Sequence, residues 1–164
     1  MIRTILVIGL ILFTIDYSYS QTSKGIFLLG GSTSMTFDSD GEYDLSIYPD
    51  LGYFIGDDFC VGAAVPLIFY ENEFSSSYYI GISPFLRYYF GENDRSRFYG
   101  LGRVNFKISE NLTIGNYGLV DLGLGYVWFI NKSIGLETEI ICNLSSEKVS
   151  VGAFIGFQIY FNAN

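Results

Sequence analysis

From about residue 25 to its end the chain alternates with a period of two, and the two phases differ in kind. One phase reads Leu45, Ile47, Leu51, Tyr53, Ile55; Val61, Ala63, Val65, Leu67, Phe69; Ile80, Ile82, Leu86, Tyr88, Phe90; Val120, Leu122, Leu124, Tyr126, Trp128; and Ile134, Leu136, Ile140, Leu144. No charge interrupts it over the middle of any segment. The other phase carries Tyr48, Asp50, Arg87, Tyr89, Arg103, Asn105, Lys107, Asp121, Glu137, Glu139, Gln158 and Tyr160, interleaved with Gly52, Gly62, Gly81, Gly123, Gly125 and Gly156. Successive side chains of a strand point to opposite faces, so this pattern describes a sheet with one wholly apolar face and one polar face.

Turn residues divide the pattern into eight segments: Gly25–Phe37, Tyr43–Ile55, Phe59–Tyr70, Tyr78–Phe90, Arg97–Lys107, Leu112–Ile130, Ser133–Leu144 and Lys148–Phe161. Each reaches the 9 to 11 or so residues that a tilted membrane-spanning strand needs. "GYFIGDDF", "RYYFGENDRSRF" and "GYVWFINKS" place aromatics just before a Gly, Asn or Asp turn, and "QIYFNAN" repeats the aromatic half at the end. These sites close the second, fourth, sixth and eighth segments. In an up-and-down meander they share one end of the sheet, as an interfacial girdle containing Tyr53, Tyr88, Phe90, Tyr126, Trp128 and Phe161.

The distribution of charge decides between two kinds of barrel. A soluble barrel fills its interior with the apolar phase, whereas a membrane barrel turns that phase outward to lipid and keeps a polar lumen. An open sheet in lipid would leave two unpaired edges, each backbone group costing several kcal/mol, so the sheet must close on itself. The expectation is an all-β, eight-stranded antiparallel up-and-down transmembrane β-barrel, with the last strand as the closing partner of the first and both termini on the periplasmic side. A secreted ligand-binding barrel is the competing architecture, disfavoured by the charged interior.

The start of the chain agrees with export. Arg3 precedes an apolar run from Ile5 to Ile15, followed by "DYSYSQ" with the small residues Ser18 and Ser20. That is the layout of a cleaved signal, giving residues 1–20 as leader and 21–164 as the barrel domain. The run is shorter than the roughly 20 residues of a membrane helix. No cysteine follows the cut, which argues against a lipid anchor. Without Arg3 and Asp16 the mature chain holds 8 basic and 16 acidic residues and keeps the net charge of −8. With no basic cluster, nucleic acid is excluded as a partner.

With these features the chain resembles the small eight-stranded outer-membrane β-barrel proteins, and in particular the outer-membrane β-barrel domain family common in Bacteroidota, over its whole mature length. "GFQIYF", with Gly156, Ile159 and Phe161, is similar to the C-terminal signal that barrel-assembly machinery recognises. "LGYFIGDDFCVGAAVPL" is similar to the family's strand, short turn and glycine-bearing next strand, and the start before Gln21 to its usual signal cleavage. The resemblance implies an outer-membrane location, with membrane lipid, lipopolysaccharide and the assembly machinery as partners.

Eight-stranded barrels leave an interior just wide enough for side chains, so the lumen is expected to be a packed polar core. Arg87, Arg103 and Lys107 face Asp50, Asp121, Glu137 and Glu139 there, as a structural network or, alternatively, as the filter of a narrow porin-like channel for ions or small solutes. Catalysis is disfavoured: the chain has no histidine, and Glu137 and Glu139 have no Ser or Cys nucleophile in a recognisable pattern beside them. The stretch "DSDGEYD" gathers Asp38, Asp40, Glu42 and Asp44 without the spacing of an EF-hand, and reads as a solvated acidic loop with at most a loosely shared divalent cation. No cofactor or specific metal is expected. Cys60 falls on the inward phase and Cys142 on the outward one, on strands across the barrel, which predicts two free thiols. Asn111, Asn131 and Asn143 meet the sequon pattern, but no glycan is assigned. The function expected is a non-enzymatic envelope or surface-interaction role for the acidic outer loops around Asp38–Asp44 and Glu71–Ser77.

Overall fold

A computed structural model of the chain describes residues 21–37, 43–72, 75–91, 93, 95–108, 114–145 and 149–162. The expected leader, the acidic residues Asp38, Asp40 and Glu42, and Asn111 lie outside the described residues, as do the side chains of Glu71–Ser77.

The described strands are β1 (Ile26–Phe37), β2 (Tyr43–Gly56), β3 (Phe59–Ala64), β4 (Leu67–Asn72), β5 (Ser75–Phe90), β6 (Ser96–Ile108), β7 (Ile114–Phe129), β8 (Ile134–Leu144) and β9 (Val149–Asn162). All pairings are antiparallel, and β1 closes on β9. No helix occurs among the described residues. β3 and β4 form a single stave between β2 and β5. Their register against β2 runs from Asp50↔Ala64 to Ile47↔Leu67 without a slip, and against β5 from Ala64↔Ser83 to Leu67↔Ile80. The ladder breaks at Val65 and Pro66 because proline has no N–H to donate. Val65 still donates to the Pro49 carbonyl at 2.9 Å, and the Pro66 carbonyl accepts from Gly81 at 3.0 Å. The molecule is therefore a closed eight-stave meander, with the third expected strand divided and the fourth beginning at Ser75 instead of Tyr78.

The register sets the dimensions. From Phe27, directly opposed partners lead through Tyr53, Val61, Leu86, Gly102, Leu122 and Cys142 to Val151, whereas Phe27 itself pairs with Phe161. The path returns ten residues along β9, a shear of ten. With ordinary strand spacing and rise, eight staves at that shear tilt by about 40° on a backbone cylinder about 8 Å in radius.

The outer face is apolar over its full girth. Leu124, Ile140 and Val151 are 67%, 63% and 70% exposed, and they belong to the phase without charges. Around the end that carries the termini, Tyr53, Tyr88, Phe90, Tyr126, Trp128 and Phe161 all point outward. Phe27 and Phe98 complete this girdle. The Phe27 ring lies 4.8 Å from Tyr53 and 5.7 Å from Phe161, and Phe98 lies 6.0 Å from Phe90 and 5.0 Å from Tyr126. Turns at this end are short. Asp58 adopts φ 62° and Gly91 φ 100°, left-handed values that Asp tolerates and Gly adopts freely. The segment before β1 is docked here: Asp58 N–H donates to the Thr22 carbonyl at 2.7 Å, Lys24 N–H to Asp57 Oδ1 at 2.9 Å, and the buried Thr22 hydroxyl to Asp58 Oδ1.

Candidate functional site

The interior is built in layers from the inward phase of each strand. At the end nearest the termini it is apolar and aromatic: Leu28, Phe54, Tyr89, Val127, Phe129 and Tyr160 are all buried. The Phe54 and Tyr89 rings are 5.5 Å apart, and Phe129 meets Tyr160 at 5.4 Å. The lumen is thus not polar throughout, as the alternation had led us to expect. An aromatic floor closes one end, made from residues whose neighbours in phase are charged.

Above the floor stands Arg87 of β5, 2% exposed. Its Nη2 donates to Asp50 Oδ2 of β2 at 3.0 Å and to Glu139 Oε1 of β8 at 3.1 Å, and its Nη1 donates to Glu137 Oε2 at 3.2 Å. The guanidinium carbon lies 5.0 Å from the Phe85 ring centroid and 5.0 Å from that of Tyr99. Tyr99 of β6 reaches both glutamates, its hydroxyl 2.8 Å from Glu137 Oε2 and 2.6 Å from Glu139 Oε1. Gly125 on the adjacent β7 makes room for this ring, since any Cβ there would collide with it. Gln158 of β9 donates to Glu137 Oε2 and accepts from Tyr89 at 3.2 Å and Tyr160 at 2.7 Å, which joins floor and charge layer. Burying an ion is costly unless it is paired and hydrogen-bonded, and each charge in this layer meets the opposite sign.

A second layer lies towards the other end. Arg103 of β6 donates through Nε to Asp121 Oδ2 at 2.8 Å, and Asn105 donates to the same oxygen at 2.9 Å. Asn143 donates to Asp121 Oδ1 at 2.6 Å, and Ser83 donates to Asn105 Oδ1 at 2.6 Å. The Arg103 guanidinium rests 4.2 Å from the Tyr48 ring centroid.

Six of the seven charges read from the sequence are therefore buried in the lumen, in two clusters. Arg87 gathers Asp50, Glu137 and Glu139, while Arg103 pairs with Asp121. Lys107 is not among them. Its side chain is exposed near the end of β6, past a register shift against β7 between Asn105 and Lys107. Tyr99 and Gln158 belong to the site although they carry no charge; their place in the inward phase, beside Leu101 and Tyr160, is the signal that points to them. Cys60 is buried inside and Cys142 half-buried, and both are free thiols. Gly156 backs onto the Gly31 carbonyl across the β1–β9 seam, and Phe161 is outward in the girdle. No group of three or more acidic, Cys or His side chains is arranged to hold a metal among the described residues.

The fold is that of known membrane barrels. The N-terminal β-barrel domain of Pseudomonas aeruginosa OprF aligns with a TM-score of 0.57 at 17% identity, covering 84% of this chain and 98% of that one. The outer membrane protein OprG from the same organism aligns with a TM-score of 0.52 at 14% identity, covering 88% and 100%. No protein-family model and no curated protein matches the sequence. At these identities the likeness is one of fold: a closed, eight-stranded transmembrane barrel of the outer-membrane kind.

Proposed function

We propose that this is a non-enzymatic outer-membrane barrel of the small type found in Bacteroidota, exported through a cleaved leader at residues 1–20, with an envelope-structural and surface-interaction role and a closed lumen. The observation that carries this reading is Arg87, which ties β5 to β2 and β8 across the interior above an aromatic floor. A side chain held on both sides of the cylinder stands where a solute path would run. The absence of histidine and the commitment of Glu137, Glu139 and Asp50 to Arg87 support a non-catalytic role.

The distribution of charge supports action at the surface. The topology brings the connections β1–β2, β4–β5, β6–β7 and β8–β9 to the end opposite the termini. By sequence this end carries eight carboxylates, at residues 38, 40, 42, 44, 71, 73, 110 and 147, against Lys107 and Lys148. An acidic rim beside lipopolysaccharide phosphates calls for shared divalent cations. Gly156, Ile159 and Phe161 are the residues we assign to recognition by the assembly machinery.

Reconstitution in planar bilayers tests the closed lumen. We expect a fraction that migrates as a compact species on unboiled gels, shifts on boiling, and produces no stepwise conductance. Regular single-channel steps from that fraction would replace this reading with a narrow pore. For the rim, magnesium or calcium is expected to raise Tm in lipopolysaccharide-containing bilayers, and an unchanged Tm removes the shared cation.

A further inference from the structure

With every carboxyl ionised, the Arg87 cluster would hold fewer protons than its contacts need. Tyr99 Oη lies 2.8 Å from Glu137 Oε2 and 2.6 Å from Glu139 Oε1. A phenol has one proton to donate, and an ionised carboxylate has none. Were both glutamates ionised, one of the two contacts would set oxygen lone pairs against each other inside a buried site. A second proton, on one of the carboxyls, turns both contacts into hydrogen bonds.

Charge leads to the same count. Arg87 faces Asp50, Glu137 and Glu139, while Arg103 is engaged with Asp121. One guanidinium against three carboxylates leaves two negative charges uncompensated, and Glu137 and Glu139 are each 2% exposed. A buried ion without a partner is far more costly than a neutral acid. Among the described residues, Asp50 Oδ1, Glu137 Oε1 and Glu139 Oε2 are buried with no hydrogen-bond partner. Each of the three carboxyls thus has one oxygen that no donor meets, as in a site short of protons.

We propose that Glu137 is a carboxylic acid at neutral pH, donating its proton to Tyr99, which in turn donates to Glu139, and that this buried proton latches β8 to β6 across the lumen side of β7. Bond lengths select the carrier. The 2.6 Å contact to Glu139 has the length of a hydroxyl bound to a carboxylate, and the 2.8 Å contact to Glu137 that of a hydroxyl bound to a neutral oxygen. Arg87 is also farther from Glu137, at 3.2 Å, than from Asp50 and Glu139, at 3.0 Å and 3.1 Å. The other Glu137 oxygen rests against Gly156, where an added Cβ would come within 2.9 Å of it. A neutral carbonyl suits that place better than half of a carboxylate. The charged and titratable neighbours are Asp50 on β2, Cys60 opposite Arg87 on β3, Arg87 and Tyr89 on β5, Tyr99 on β6, Glu139 on β8 and, through Gln158, Tyr160 on β9. Opposite Glu137 and Glu139, β7 presents Val127 and Gly125, and β1 presents Ser32 beyond Gly156. Release of the proton would set Tyr99 and a second charged glutamate oxygen against each other, and loosen β6 from β8.

The chain offers a clean window in which to see this proton. It has no histidine. Between about pH 5.5, where ordinary carboxylates are ionised, and about pH 7, below the range of amino termini and thiols, no ordinary group of this chain titrates. In the unfolded chain Glu137 is ionised throughout the window, whereas in the barrel it keeps its proton. The folded state therefore binds one proton more than the unfolded state, so stability is greatest at the lower edge and falls as pH rises. One proton corresponds to about a tenfold change in the unfolding equilibrium per pH unit.

The test uses the full-length barrel in detergent micelles, with glutamate isotope-labelled at its side-chain carboxyl. At neutral pH one carboxyl resonance is expected at the position of a protonated acid, and it should vanish in Glu137→Gln, whose amide can donate to Tyr99 as the acid does. Urea unfolding from vesicles should become about tenfold more favourable per pH unit across the window. Glu137→Gln should abolish that dependence, and Asp44→Asn, a carboxylate outside the cluster, should keep it. The wild-type resonance and slope decide by themselves if a variant does not fold. No acid resonance at neutral pH, a resonance that persists in Glu137→Gln, or a flat wild-type stability would overturn the proposal. Stabilisation by sodium, potassium or calcium that Glu137→Gln abolishes would assign the compensating charge to a metal ion and overturn it too. These readouts require no conductance measurement, so failure of the buried proton and failure of the closed lumen are separate results.

Discussion

Replacing Arg87 by methionine removes the charge that three buried carboxylates share. Asp50 Oδ2 and Glu139 Oε1 are held 3.0 Å and 3.1 Å from the same nitrogen, so these two oxygens are at most about 6 Å apart. Two unit charges at about 6 Å repel by about 3 kcal/mol at an effective dielectric of about 20. Glu137, held by the other guanidinium nitrogen at 3.2 Å, adds to this, and three charge-assisted hydrogen bonds are lost as well. Breaking a buried pair from one side costs about 3–5 kcal/mol, and we expect Arg87→Met to fall in that range. The assay is urea unfolding from lipid vesicles, followed by the emission of Trp128. A second variant separates repulsion from lost packing. Adding Asp50→Asn and Glu139→Gln to Arg87→Met leaves Glu137 as the single carboxylate of the cluster, and it should recover at least half of the loss. A cost below about 1 kcal/mol for Arg87→Met would refute the reasoning. So would a triple variant as unstable as the single one, since the instability would then come from packing against Phe85 and Tyr99.

Three further outcomes test the orientation of the barrel. Leu124→Arg, at the lipid midplane, should destabilise by about 2–4 kcal/mol in vesicle unfolding, whereas Asn162→Arg at the interface should cost no more than about 1 kcal/mol; similar small effects at both sites would invert the faces. Gly156→Val forces a side chain to within 2.9 Å of Ser32 Cα across the zipped seam, and we expect about 1–3 kcal/mol of overpacking cost, read as a reduced compact band on unboiled gels. Gly102→Ala serves as its control, because its nearest neighbour would be Leu86 Cδ1 at 3.6 Å. Trp128, placed in the girdle, should be quenched more strongly by lipids brominated near the head group than by lipids brominated near the chain end.

Much of this architecture is legible in the sequence because a membrane barrel needs two incompatible surfaces on each strand. Leu122, Leu124 and Tyr126 alternate with Asp121, Gly123 and Gly125, and no soluble sheet has reason to keep its charges on the enclosed side. Asp50, Arg87, Glu137 and Glu139 follow from phase alone. What phase does not convey is height. Phe54, Val127 and Tyr160 share the inward phase with the charged residues, and their stacking into a floor depends on a shear of ten that is known when every register is known. Lys107 keeps the inward phase but stands at the loop end of β6, where the barrel no longer encloses it. Pro66 marks the break between β3 and β4 openly, yet alternation continues through it, since the register does not slip. Phe27 and Phe98 belong to the girdle through their cross-strand neighbours, which a search for aromatics before turns does not reach.

The vertical order of the interior also shows how the barrel is closed. Here the zipped part of β1 and β9 coincides with the floor and with Gln158, whose amide joins Tyr89 and Tyr160 to Glu137. Arg87 spans from β5 to β2 and β8 just above. Closure of the seam and closure of the lumen are thus made at the same level by residues in direct contact. The Arg103 and Asp121 pair stands nearer the loops, and its two staves, β6 and β7, are adjacent and hold each other through their own ladder. The ion pair itself joins neighbouring staves, and across the barrel Arg103 reaches β2 through the face of Tyr48. Widening at the level of Arg87 would separate charges on three staves. The buried network therefore holds the staves together most firmly at the level of Arg87.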